Sequence, residues 1–242
     1  MSAPPAPAPG EAADPAMSAR APRRRSDDGG LPAALERSAA TRARTLELLA
    51  GRPQEQLDRA PAAGRWSAGE VFDHLVLAER LNRDELGNLV RLARAGEPAR
   101  IRRSFADMDV SVAYIPKAAL PFLELPFTVA NLFLPAFVRD VLARSRWLPA
   151  QNPTAATPRR GRAAGELRAD LEASLAATVD LVTANADLDF RAMRFSHPLL
   201  GTSDGIGVLA FMSVHERRHK EQIGEALAAA AAAAAPAERP GR

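Results

Sequence analysis

The chain has 242 residues, of which 47% are apolar and 5% aromatic, and it contains no cysteine. This length suits one domain with appendages, and abundant alanine with few aromatic residues favours packed helices. The lack of cysteine excludes disulfides, thiolate metal ligands and a cysteine nucleophile. The formal net charge is only +3, so we expect no nucleic-acid partner. No apolar signal segment follows the N-terminal arginines, and we therefore expect a cytoplasmic protein.

The two ends of the chain differ in composition from its middle. Residues 1–29 are mainly Pro, Ala, Gly and charged residues without apolar periodicity, which predicts a disordered tail. Residues 30–230 are predicted to form a single domain. Residues 231–242 are predicted to be a second disordered tail, which begins where a polyalanine helix frays.

Four segments with helical apolar periodicity predict an all-α fold, the four-helix bundle. The second segment begins with Ser67-Ala68-Gly69-Glu70, a capping-box pattern in which serine and glutamate satisfy backbone N–H groups at a helix start. Gly205 and Gly207 lie early in the fourth segment, where we expect an irregular turn. The predicted helices cover residues 32–50, 67–94, 165–186 and 204–229.

Residues 100–160 are predicted to be an insertion between the second and third helices. Its apolar part, residues 110–138, is interrupted by four prolines and flanked by arginines. One interpretation is a helical excursion over one end of the domain that lines a pocket or a dimer contact. The other is a segment that dips into a membrane surface, with its arginines on phosphates. The prolines break any long amphipathic helix, so the first interpretation is favoured.

Three of the four histidines lie on predicted inward faces. His215 and His219 are four residues apart on the fourth helix, and His74 is on the second. If these helices are neighbours, three neutral imidazoles can bind a divalent ion and leave coordination positions open. Zinc is favoured, with nickel, iron, manganese or cobalt as alternatives. The competing interpretation is a set of hydrogen-bonded core histidines, each of which would need a partner when buried.

The stretch His215-Glu216-Arg217-Arg218-His219 also matches the zinc-protease pattern, with Glu216 as general base. Those proteases require a third ligand downstream, and the acids after His219 are either too close in sequence or in the predicted tail. Glu216 is also rotated by about 100° from the histidine face of a regular helix. His197 precedes Pro198 in a predicted loop, where we expect a structural role or a place at the rim of a pocket.

Several of these residues recur, in order and spacing, in a known family. They are Trp66-Ser67, Glu70, His74-Leu75, Glu79, His197-Pro198-Leu199-Leu200-Gly201 and His215-Glu216-x-x-His219-x-x-Gln222-Ile223. Over residues 32–228 the chain resembles the DinB-like superfamily, whose relatives include thiol-dependent S-transferases and the mycothiol-dependent maleylpyruvate isomerase. The resemblance implies an up-down-down-up bundle, often dimeric. It also implies a divalent metal held by His74, His215 and His219.

The sequence thus suggests a metal-dependent transferase that uses a low-molecular-weight thiol, or a small-molecule hydrolase. In this hypothesis Glu216 transfers protons, Glu70 and Gln222 hydrogen-bond the metal-ligating histidines, and residues 110–138 cover the substrate. A homodimer is expected. Two alternatives stay open: a bundle that binds or senses a small ligand without catalysis, and a membrane-surface protein that acts through residues 110–138.

Overall fold

The computed structural model describes residues 30–103, 156–197 and 201–234. Within these ranges the secondary structure is mostly helical, which confirms the all-α prediction. The helices are α1 (Gly30–Leu49), α2 (Gln54–Asp58), α3 (Ala68–Arg94), α4 (Ala164–Thr183) and α5 (Gly205–Ala234). The strands are β1 (Arg100–Arg102), β2 (Arg194–His197) and β3 (Gly201–Ser203). The short helix α2 was not predicted.

The start of α3 is fixed by the predicted capping box. Ser67 Oγ accepts a hydrogen bond from the Glu70 N–H at 3.2 Å, and the Ser67 N–H donates to Glu70 Oε2 at 2.9 Å. Two backbone groups that would otherwise lack partners at the helix end are therefore satisfied. This start places His74 two turns into the helix, on its buried side.

The four long helices form a bundle in which α1 and α3 each contact both α4 and α5. Two hydrophobic clusters occupy opposite ends of the bundle. The first cluster includes Leu49, Val71, Leu167 and Ile223. The second includes Ala34, Leu86, Val182 and Leu209. The first cluster contains residues from the ends of α1 and α5 and from the starts of α3 and α4. The helices α1, α3, α4 and α5 therefore run up, down, down and up.

A small sheet closes the second cluster. Strand β1 pairs with β2 in parallel, and β2 pairs with β3 antiparallel with His197 opposite Gly201. The loop predicted at His197 was therefore wrong, because His197 lies in strand β2. Strands of three or four residues are too short for an alternating apolar pattern to reveal them in the sequence.

The last helix is longer than predicted. Helix α5 continues to Ala234, so the disordered tail predicted from residue 231 was wrong for its first four residues. Alanine has the highest helix propensity of all residues, and a run of it prolongs the helix without tertiary contacts. The predicted N-terminal tail and the apolar residues 110–138 lie outside the described residues. No helix in the described ranges is long and apolar enough to cross a membrane.

Gly205 permits a close approach between the start of α5 and the segment before β2. Its N–H donates to the Phe190 carbonyl at 2.8 Å. A Cβ atom at this position would lie 2.9 Å from that carbonyl oxygen and 3.0 Å from a Phe190 ring carbon. The glycine predicted to disturb the helix is thus required by packing where the helix begins.

Substituting Gly205 and Gly224 with alanine should have opposite effects. Gly205→Ala should lower the free energy of unfolding by about 1–3 kcal/mol, because the new methyl group overlaps the Phe190 backbone. Gly224→Ala, in the same helix with no atom near the new Cβ, should raise it by up to about 1 kcal/mol. Urea unfolding of both variants checks this, and equal signs would contradict the packing argument.

Candidate metal centre

Three histidines from two helices converge in the bundle. His74 is on α3, and His215 and His219 are one turn apart on α5. One ring nitrogen from each lies within 4.8 Å of the others, and the Nε2 atoms of His215 and His219 are 3.2 Å apart. Two nitrogens at about 2.0–2.1 Å from one zinc in tetrahedral geometry would be separated by about 3.3 Å. The spacing of the pair fits a single ion.

Hydrogen bonds orient two of the three rings. His74 Nδ1 lies 2.9 Å from the Ala156 carbonyl oxygen, and His219 Nδ1 lies 2.9 Å from Gln222 Oε1. Carbonyl oxygens only accept hydrogen bonds, so both Nδ1 atoms carry the proton and both Nε2 atoms present a lone pair. Gln222 therefore makes the contact predicted for it. An acceptor behind the ring, as His74 and His219 each have, is typical of metal-binding histidines.

His74 Nε2 is buried and has no hydrogen-bond partner within the described ranges. The whole residue is 1% exposed, so bulk solvent does not reach this atom. An unsatisfied buried acceptor costs about 1–3 kcal/mol. Because this lone pair lies among two further imidazoles, a metal ion is the partner that the donor set fits.

Burial keeps the three rings neutral. Desolvation lowers the pKa of His74 below its usual value, against a hydrogen bond to Ala156 that raises it. Desolvation, followed by repulsion from the neighbouring histidines, lowers the pKa of His215 further. Desolvation also lowers the pKa of His219 to about 4. Neutral imidazole is the form that binds a metal, so at neutral pH the three rings are in the form that could hold an ion.

Glu70 does not orient His74, and that prediction was wrong. Its carboxylate accepts from the Ser67 N–H at 2.9 Å and from Arg160 Nε at 2.9 Å. The helix cap and the ion pair hold Glu70 away from the imidazole. The acceptor for His74 is instead the Ala156 carbonyl, a backbone group that no residue type announces in a sequence.

Glu216 belongs to a buried ion-pair network. Both of its carboxylate oxygens accept from Arg42, at 2.8 and 3.0 Å, and Arg42 also donates to Glu79 at 2.8 Å and to the Leu171 carbonyl. Arg42 is 3% exposed and Glu216 6%. With both oxygens engaged by a guanidinium, the contacts of Glu216 do not support the proton-transfer role predicted for it.

Arg42 was missed by the sequence analysis, although a signal was present. It lies on the face of α1 that carries the buried residues Ser38, Thr41 and Thr45. A helix whose inward face holds an arginine among small polar residues indicates a buried polar network, since a buried charge needs partners. A cavity of about 20 Å³, large enough for one water molecule, lies between this network and His215.

His197 is not part of the three-histidine cluster. It ends β2, half-buried, with its ring 6.3 Å from that of Phe195. Desolvation lowers its pKa to about 4, so it is neutral in the folded chain. Its predicted position at the rim of a pocket stays a prediction, because residues 198–200 lie outside the described part of the chain.

Comparison with known proteins identifies the family. A family model for the DinB superfamily matches residues 38–223. The chain belongs to the DinB superfamily. No match was found among curated proteins or among solved structures. The matched range contains all three clustered histidines, and the cluster fits a metal-binding DinB protein.

Removing the charge of Arg42 should destabilise this DinB protein strongly. Arg42→Met leaves the Glu79 and Glu216 carboxylates buried without their cation, and we expect the free energy of unfolding to fall by about 3–5 kcal/mol. The matched control is Arg94→Met, which breaks an ion pair with Asp187 whose side chains are 45% and 64% exposed; such pairs contribute about 0–1 kcal/mol. Urea denaturation compares the two, and similar losses would contradict the assigned importance of the network.

Acid should destabilise the protein partly through His197. In the unfolded chain an imidazole binds a proton below about pH 6.5, whereas in the folded chain His197 does so only near pH 4. The stability that this neutral ring confers is present above pH 6.5 and is lost as the pH falls towards 4. The free energy of unfolding of His197→Gln should therefore fall less between pH 7 and pH 4.5 than that of the wild type. Parallel pH profiles would refute this assignment.

Proposed function

We propose that this DinB protein is a metal-dependent enzyme with a single divalent ion bound to the Nε2 atoms of His74 and His219 and to His215. Zinc is the first candidate, with nickel, iron or manganese as alternatives. The observation that carries the proposal is the buried Nε2 of His74, which has no hydrogen-bond partner in the described part of the chain and lies beside two neutral imidazoles. A core built only for packing would have satisfied that atom or replaced the ring.

The donor set indicates the class of chemistry. A divalent ion held by three neutral ligands keeps its full charge and supplies Lewis acidity, which lowers the pKa of a bound water or thiol towards neutrality. The chain's own residues orient the site. Ala156 and Gln222 fix the tautomers of His74 and His219, and Arg42 holds Glu216 in an ion pair. The reaction proposed is transfer of a low-molecular-weight thiol to a small electrophile, with small-molecule hydrolysis as the variant in which water takes the place of the thiol.

The thiol is favoured by family membership, since the sequence resembles a superfamily that includes thiol-dependent S-transferases. The absence of cysteine from the chain suits such a role, because any thiol at the site must then come from the substrate. A homodimer in the cytoplasm is the setting that we propose for this activity.

Metal content tests the site. We expect about one divalent ion per chain when the protein is purified without a histidine tag, and little or none in His74→Ala and His219→Ala, because each loses one of three ligands. The control His197→Gln should keep the wild-type content, since His197 lies outside the cluster. Plasma mass spectrometry gives the stoichiometry and the element. Full metal content in His219→Ala would overturn the site.

Activity then separates the two reactions. The metal-loaded protein is incubated with low-molecular-weight thiols and a panel of electrophiles, and separately with ester and amide substrates, each compared with His74→Ala. Thiol adducts formed only by the wild type would support thiol transfer, and hydrolysis without thiol would support a hydrolase. A protein that binds the metal and turns over neither panel would favour a non-catalytic ligand-binding bundle.

A further inference from the structure

The metal ligand His74 is adjacent in space to a segment that carries three arginines. Residues 156–162, here called the arginine segment, lie against the first two turns of α3. Ala156 accepts from His74 Nδ1, and the Arg159 N–H donates to Asp73 Oδ2 at 2.7 Å. The side chains of Arg159 and Arg162 donate to Asp73 Oδ1 at 3.0 and 2.9 Å.

Asp73 is the centre of these contacts. It is 0% exposed, although Arg159 is largely in solvent. Burial alone would raise the pKa of Asp73, and the hydrogen bonds from Arg159 and Arg162 lower it below its usual value. A buried carboxylate is costly unless several donors satisfy it, so Asp73 retains the arginine segment in one position.

The contact between Arg159 and Asp73 affects the metal site because Ala156 and Arg159 are close along the chain. Ala156 precedes Arg159 by three residues, which span at most about 10 Å. Holding the Arg159 N–H on Asp73 therefore restricts where the Ala156 carbonyl can be. Asp73 and His74 are neighbours on α3, so one helix turn binds both ends of this short stretch.

We propose that Asp73 is a positioning residue of the metal site: by anchoring the arginine segment it places the Ala156 carbonyl behind His74, which fixes the ring and its tautomer. This inference rests on the proposed metal binding by His74. Coupling between two binding events is reciprocal. Metal binding must accordingly hold the arginine segment on α3 as strongly as the segment favours the metal.

The first test measures zinc affinity in the full chain by competition with a chelating dye. Asp73→Asn keeps the shape of the side chain and removes its charge, and we expect about 10-fold weaker binding, the lower end of what loss of an outer hydrogen-bond partner costs. The matched control is Asp187→Asn, which has the same change at a carboxylate that pairs with Arg94 at the other end of α3. It should bind zinc like the wild type.

The second test uses trypsin, which cleaves after arginine. The side chains of Arg159 and Arg160 are 64% and 81% exposed, so their peptide bonds become substrates whenever the segment leaves α3. Mass spectrometry should show that zinc slows cleavage after these two residues in the wild type and slows it much less in Asp73→Asn. Metal-free Asp73→Asn should be cut faster than the metal-free wild type.

Arg162→Gln guards against misfolding of Asp73→Asn, because it removes one donor to Asp73 and leaves the α3 side chain intact. It should weaken zinc binding in the same direction. If both variants bind zinc with wild-type affinity while the wild type binds one equivalent, the positioning role is overturned and the metal site stands. If the wild type binds none of zinc, nickel, iron and manganese, both proposals fail. Unchanged cleavage on addition of zinc would also overturn the positioning role.

Discussion

The fold depends on one buried side chain, the guanidinium of Arg42, which requires hydrogen-bond acceptors in the core. Arg42 extends from α1 and donates to Glu79 on α3, to the Leu171 carbonyl on α4 and to Glu216 on α5. One side chain thereby connects all four long helices at a single level. The cost of leaving any of these charges unpaired in the core is several kcal/mol, so the helices cannot slide past one another. A purely apolar core would tolerate such shifts far more readily.

The alignment of the helices that Arg42 fixes determines where the histidines meet. His74 precedes Glu79 by five residues on α3, and His219 follows Glu216 by three on α5. Because α3 and α5 run in opposite directions, both offsets lead towards the same end of the bundle. Holding Glu79 and Glu216 on Arg42 therefore brings the two histidine-bearing helices into the alignment in which their imidazoles converge. Glu216, which was predicted to transfer protons, instead helps to hold α5 in this alignment.

Features encoded by local spacing could be predicted from the sequence, and features encoded by distant contacts could not. The capping box at Ser67 and the pair His215 and His219 are each contained within one turn of one helix, where periodicity alone fixes geometry. The Ala156 carbonyl reaches His74 across 82 residues, and backbone acceptors have no residue signature. Glu70 was misassigned because a carboxylate that caps its helix is no longer available to the next turn.

The three histidines also differ in how they are held, which would link metal binding to folding. His215 and His219 keep their spacing wherever α5 is helical, so they form a pair even before the bundle packs. His74 joins them only when α3 lies on α5 and the Ala156 carbonyl is behind its ring. A metal ion would therefore bind the folded chain more tightly than the unfolded one, and its binding free energy would add to stability. That gain would arise at the start of α3, where His74 Nε2 is buried without a hydrogen-bond partner among the described residues.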